Sequence, residues 1–294
     1  MLDALMRMVA RNEHRVAARL GAAWSGPYGA LARWYGRRRR TVRLETGARI
    51  EVNPRDFVGG RIWAFGAWEP NLTTWLKRTL KPGDHFIDVG ANVGYYTLLA
   101  SHLVGETGQV WAVEASPTTY RELDQNIRRN GLRNVRSFNL AAADRRGALP
   151  FFLGPPENRG ESNLFGRLGF TQEAMVEAWP LDELLAGEDL GRLRVIKVDV
   201  EGAEDLVVAG MPQTLARLPP TTAILMEVLP EELARRGGSI EGLIAAFGAH
   251  GFQPYVIDND YSPWGYHRPS YLPPEPMTQT PVDCADMIFS RQPL

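Results

Sequence analysis

The sequence holds a single cysteine, Cys284, which excludes an internal disulfide and a cysteine-based zinc site. A reducing cytoplasm is therefore the default compartment, and Cys284, beside the last apolar strand, reads as a small core residue. No run of about eighteen apolar residues exists, so no membrane-spanning helix is expected. A signal peptide is not evident either, because Arg7, Arg11, Arg15 and Arg19 interrupt the apolar positions at the start. Net charge is nearly absent, at -1, but the balance is uneven. Ten arginines and two acids lie up to Arg43, against 23 basic and 32 acidic residues after it. An acidic body argues against a nucleic-acid substrate, since phosphate neutralisation dominates such binding. No tandem repeat is visible, and the five histidines are scattered.

What is present centres on Asp84 to Glu114. Phe86 to Val89 is an apolar run broken by one carboxylate, Asp88, and Gly90-Ala91-Asn92-Val93-Gly94 follows as a turn into a helix carrying Tyr95, Leu98, Leu99 and Leu103. Val110 to Val113 is a second buried strand ending in Glu114, about twenty residues past the glycines. At that spacing a carboxylate can accept both hydroxyls of a ribose. The turn is not the dinucleotide fingerprint: Asn92 stands where the central glycine would be, and Asp88 would repel a pyrophosphate. An acid there suits a ligand carrying an ammonium and a sulfonium. The pattern points to S-adenosylmethionine, with Asp88, Gly90, Asn92, Gly94 and Glu114 around it, and away from NAD.

At 294 residues and 44% hydrophobic, the chain can bury one substantial core with extensions. The expected organisation is a basic helical extension over 1–40, a hairpin and helix over 41–83, and an α/β Rossmann-like domain over 84–294. Insertions into that domain are expected at about 145–180, with Leu149 to Leu153 and Ala174 to Trp179 as added antiparallel strands, and at a lid-like stretch of about 258–281. The extension could meet an anionic membrane surface or a partner, although packing on its own acidic body or in a homo-oligomer is the simpler expectation. Thr41 to Val52 alternates with period two, and Phe57 to Trp68 is aromatic and glycine-rich. A helix follows Glu69-Pro70, and Glu231 to Phe247 is helical with a weak spot at Gly237-Gly238. Ala141 to Ala143 leave room for a flat ring, so Ala142 and Asp144 are candidate adenine contacts.

Carboxylates gather at the strand ends, where ligands of open α/β sheets bind. Val195 to Val198 leads into Asp199-Val200-Glu201-Gly202-Ala203-Glu204, and Glu227 interrupts the apolar run Ala223 to Val228. Asp199 or Glu201 can act as general base towards a hydroxyl, and Asp199, Glu201 and Glu227 can hold a divalent cation. Glu201 or Glu204 can alternatively cap the helix beginning at Gly202. Glu69, Glu227, Tyr266 and His267 are candidate substrate contacts.

Phe86 to Gly94, Glu114-Ala115-Ser116-Pro117 and above all Ile196-Lys197-Val198-Asp199-Val200-Glu201-Gly202-Ala203-Glu204 resemble the FkbM family of S-adenosylmethionine-dependent methyltransferases. The likeness runs from about Thr41 to Ser290 and leaves the basic leader outside. It implies a seven-stranded, mostly parallel sheet with the last strand antiparallel. It also implies O-methylation of a hydroxylated small molecule such as a sugar or polyketide. A non-catalytic, cofactor-binding scaffold and an NAD-dependent oxidoreductase are the alternatives.

Overall fold

The computed structural model describes Arg7 and residues 38–261, 263–267 and 270–294. Apart from Arg7 and residues 38–40, the helical extension expected over 1–40 lies outside the described residues. From residue 38 onward the described elements are strands β1 (Arg40–Arg43) and β2 (Arg49–Val52), then helices α1 (Phe57–Phe65) and α2 (Pro70–Thr79). Strand and helix alternate through β3 (His85–Val89), α3 (Tyr95–Val104), β4 (Gln109–Val113), α4 (Pro117–Arg129) and β5 (Val135–Phe138). The rhythm breaks at β6 (Ala141–Ala142), β7 (Gly147–Leu153) and β8 (Thr171–Trp179). It resumes with α5 (Leu181–Leu184), β9 (Leu193–Val198), α6 (Glu204–Ala209), α7 (Pro212–Arg217), β10 (Ala223–Val228), α8 (Pro230–Arg235) and α9 (Ile240–Gly248). Last come β11 (Gln253–Val256), α10 (Pro263–His267), β12 (Glu275–Pro276) and β13 (Ala285–Ser290).

The main sheet runs β12-β11-β13-β10-β9-β3-β4-β5. Strands β10, β9, β3, β4 and β5 are mutually parallel, and β13 is antiparallel to both β10 and β11. This is the expected α/β sheet of seven strands with its last strand antiparallel. An eighth strand, β12, is added at one edge; its two residues carry no periodicity that the sequence could display. The direction of winding reverses at β3, between β9 and β4, and this places a crevice at the carboxyl ends of those strands.

Alternation along each strand feeds two cores. Phe86, Val110, Val195, Leu225 and Ile288 pack towards α2 and α3, whereas Ile87, Trp111, Ile196, Met226 and Phe289 pack towards α5, α7 and α9. The hairpin pairs Val42 with Ile50, and α4 fixes it: the Asn126 and Asn130 side chains accept from the Glu51 and Arg49 amides and donate to the same residues' carbonyls. Asn126 also donates to the Val93 carbonyl at 2.9 Å, which ties the hairpin to the glycine turn.

Three local details shape the surroundings of the sheet. The glycine-rich stretch after Phe57 is helical, because Asp56 caps it at 2.9 Å to the Gly59 amide and Gly59 lies where a Cβ would meet the Asn53 carbonyl at 2.3 Å. Strand β5 stops at Phe138, and Ala141–Ala142 joins a second sheet, ordered β6-β8-β7. The single helix expected over 231–247 is two, parted where Gly237 takes φ 81° and Ser239 caps α9 through the Gly242 amide.

Candidate active site

A cavity of about 380 Å³ opens at the carboxyl ends of β3, β4, β9 and β10. Its floor is the glycine turn. Gly90 takes φ 79°, and a Cβ there would stand 1.7 Å from the Asp199 carbonyl oxygen, so the exits of β3 and β9 converge only because this residue has no side chain. The Asp199 amide donates to the Val89 carbonyl at 2.9 Å, while the Gly90 and Ala91 amides both reach the Val113 carbonyl. Gly94, at φ 96°, does not line the cavity; it lets α3 start against Leu123 of α4, whose Cδ1 would lie 2.7 Å from a Cβ.

Glu114 is the carboxylate of this floor. Its Oε2 accepts from the Asn92 amide and its Oε1 from the Ser116 amide, both at 2.9 Å, which leaves one lone pair on each oxygen for a ligand. Burial pushes its carboxyl up to about 7, against the lowering effect of those two amides. Ala141, Ala142, Leu140 and Phe151 line an adjoining apolar slot. Asp144 is not part of it: the chain bends away after β6, and the carboxylate lies 3.3 Å from the Arg145 guanidinium. Asp88 is corrected too. It is wholly buried and outside the lining, with its Oδ2 taking the Thr97 hydroxyl at 2.6 Å and its Oδ1 without a hydrogen-bond partner among the described residues. Burial raises its carboxyl, opposed by the charge of Lys197.

The other end of the cavity is acidic. Asp199, Glu201 and Glu227 bring carboxylate oxygens within 4.8 Å of one another. Burial first, and then the charge of Asp199, hold the Glu201 and Glu227 carboxyls well above the usual range. Neither Glu201 nor Glu204 caps the following helix, whose N-cap is Ala203: Glu204 Oε1 accepts from the Gly202 amide at 2.8 Å, ahead of the cap, and Glu201 lines the cavity. Cys284 is exposed, not core; its thiol donates to Glu227 Oε1 at 3.3 Å. Glu69 also lines the cavity, with Tyr96 and Tyr261 hydroxyls donating to its two oxygens at 2.5 and 2.6 Å. Among the described residues other than glycine, only Glu69, Asn92 and Glu201 take positive φ, and all three line this cavity. Backbone strain of order 1–3 kcal/mol per residue is thus concentrated at one place.

Tyr266 and His267 do not reach the cavity. The Tyr266 hydroxyl accepts from the Glu69 amide at 3.4 Å and its ring packs on Phe65, while His267 is exposed at the edge of the same ring. Among the described side chains of this segment, Tyr261 is the aromatic that enters, packed on Trp68 with ring centroids 5.6 Å apart. The segment expected to act as a lid is fastened to α2: Asn71 donates to the Asp258 and Leu272 carbonyls, and the Leu72 amide donates to Asn259.

Sequence reasoning passed over Lys197. Its ammonium lines the cavity and donates to Asp199 Oδ2 at 2.7 Å. The signal was available, because an ammonium inside an apolar strand run is as conspicuous as the carboxylate of Glu227. The arrangement fits an adenosyl ligand on its own geometry: a two-oxygen acceptor for a diol, a slot of small apolar residues for a ring, and carboxylates beyond.

A family description for the methyltransferase FkbM domain matches residues 88–254. Methyltransferase 1 of Beauveria bassiana is 29% identical over 153 residues, which cover 44% of this chain and 59% of that protein. The 31-O-demethyl-FK506 methyltransferase FkbM of Streptomyces tacrolimicus is 25% identical over 201 residues, covering 59% of this chain and 74% of that protein. The matched region is thus under two thirds of the first relative's length and about three quarters of the second's. A solved structure of Aeropyrum pernix fibrillarin with natively bound S-adenosyl-L-methionine is 16% identical, covers 85% of this chain and 92% of that chain, and has a TM-score of 0.42.

Proposed function

This chain belongs to the methyltransferase FkbM domain family, and from that premise we propose that it methylates a hydroxyl oxygen of a small natural product, of sugar or polyketide type, with S-adenosylmethionine as cofactor. The observation that carries the reading is one cavity with the Glu114 carboxylate and small-residue slot at one end and the Asp199 carboxylate at the other. S-adenosylmethionine supplies an electrophilic methyl group when bound. Glu114 accepts from the ribose hydroxyls, Ala142 and its neighbours receive the ring, and the Gly90 turn brings the β9 exit against the same space. Asp199 takes the proton of the acceptor hydroxyl as that oxygen becomes nucleophilic. Enclosure between Trp68, Tyr96 and Tyr261 holds the acceptor in line, and positioning of this kind can contribute roughly 7–11 kcal/mol. The test is transfer of label from methyl-labelled S-adenosylmethionine to a panel of hydroxylated glycosides and macrolides. Label recovered only on nitrogen or carbon acceptors would reject the oxygen specificity.

Glu114 gives this reading a pH signature. Its ionised form accepts the ribose hydroxyls, and its carboxyl stands at about 7 before ligand binds. Affinity for S-adenosylhomocysteine is therefore expected to weaken as pH falls through about 7, by up to about tenfold per unit. Glu114→Gln should bind more weakly and lose this dependence in calorimetric titrations from pH 5 to 8. The same slope in that variant would remove Glu114 from the ribose site.

A second reading concerns the same acidic end, and the mutual approach of Asp199, Glu201 and Glu227 within 4.8 Å favours it. In this reading the three carboxylates bind a divalent cation that lowers the pKa of the acceptor hydroxyl. Mn²⁺ binding followed by electron paramagnetic resonance should then be stoichiometric and lost in Glu227→Gln. Methyl transfer undiminished by excess EDTA, with no bound Mn²⁺, excludes it.

A further inference from the structure

The chain uses thirty arginines and only three lysines, Lys77, Lys81 and Lys197. The first two belong to the surface end of α2 and the turn after it, where Lys77 pairs with Glu45. Lys197 is 4% exposed, between the fully buried Ile196 and Val198 of β9. A charge in that setting is retained only when it is paired.

Its surroundings supply the pairing. Period two along the β9 exit puts Lys197 and Asp199 on one face, so the ammonium meets the carboxylate two residues on, at 2.7 Å. The same ammonium lies 5.0 Å from the Tyr96 ring centroid, and across the strand pair its register partner is Asp88. Tyr96 joins two halves of the cluster, with its ring beside Lys197 and its hydroxyl on Glu69. Tyr261 holds the other oxygen of Glu69. Asp199 shares the acidic end of the cavity with Glu201 and Glu227, whose carboxylate oxygens come within 4.8 Å of its own.

We propose that Lys197 is a positioning residue for Asp199: its ammonium fixes that carboxylate at the cavity wall, while the Tyr96 ring, anchored through its hydroxyl on Glu69, seats the ammonium. The proposal rests on the reading of Asp199 as the base at the methyl-donor end. A compact ammonium suits the task, because it makes one short contact from a narrow strand position where a planar guanidinium would need a wider one.

The test needs no acceptor. Sinefungin carries an ammonium where the cofactor carries its methyl group, and S-adenosylhomocysteine carries neither, so the ratio of their dissociation constants reports the field of Asp199 at that point. Wild-type protein should bind both and prefer sinefungin by about tenfold, the size of one hydrogen bond to a charged group. Asp199→Asn should abolish the preference. Removing a positive charge alone would strengthen binding of a cationic ligand, so Lys197→Met separates two outcomes of opposite sign. Loss of the preference, with S-adenosylhomocysteine affinity held within about threefold, is the expected result. An unchanged or larger preference would overturn the proposal. Because Lys197→Met leaves Glu69 and Asp88 without a counter-charge, the ratio is also measured in Lys197→Met/Glu69→Gln, where the same loss is expected. Wild-type protein that binds neither ligand would reject the methyltransferase reading itself, a result distinct from both.

Discussion

Asp199→Asn is expected to slow methyl transfer by about 10²–10⁴-fold, the range that a positioned general base supplies, while leaving the affinity for S-adenosylhomocysteine nearly unchanged. The carboxamide keeps the size of the side chain and an oxygen for the Lys197 ammonium to reach, now at 2.7 Å from Oδ2. What it loses is the capacity to take a proton. A drop in kcat with a preserved dissociation constant, measured by release of S-adenosylhomocysteine and by calorimetry, separates chemistry from binding. Turnover at the wild-type rate would remove Asp199 from the mechanism and leave Glu201 or a bound cation to activate the hydroxyl.

The second large effect is expected from one methyl group. Gly90→Ala places a Cβ 1.7 Å from the Asp199 carbonyl oxygen, at a residue whose φ is already 79°. The obstacle is backbone, so no side-chain rotation relieves it, and the β3 and β9 exits must separate. Overpacking and strain together should cost about 3 kcal/mol or more. For a chain of this size that corresponds to a melting temperature lower by roughly 5 °C or more in thermal denaturation. Cofactor affinity should fall as well, since the turn that carries Asn92 shares the displaced segment. A variant that melts with wild type and binds S-adenosylhomocysteine normally would mean that the two strand exits do not meet as described.

The fold was legible where single elements carry their own pattern. Ala223 to Val228 is an apolar run interrupted only by Glu227, and β10 occupies those residues. Asn92 and Glu114 were legible through spacing, and the structure joins them by a hydrogen bond from the Asn92 amide. Helix α1 was not, because Gly59 and Gly60 dilute its helical period; the signal lay in the capping Asp56 and in a tight approach to Asn53 that only tertiary structure reveals. Asp144 and Ala142 are two residues apart and were grouped as one slot, but a bend after Ala142 sends Asp144 outward. Tyr261 enters the cavity while Tyr266, five residues on, does not; a loop has no period from which to tell them apart. Lys197 was readable as a charge in an apolar run, yet its partners Glu69 and Tyr96 come from distant segments that meet it only in the folded chain.

The most direct measurement is calorimetric titration of the folded protein with S-adenosylhomocysteine, with NAD as the control ligand. Stoichiometric binding of S-adenosylhomocysteine and no binding of NAD is the expected result. Binding of NAD, or of neither ligand by protein whose melting transition shows it to be folded, would contradict the assignment of the cavity.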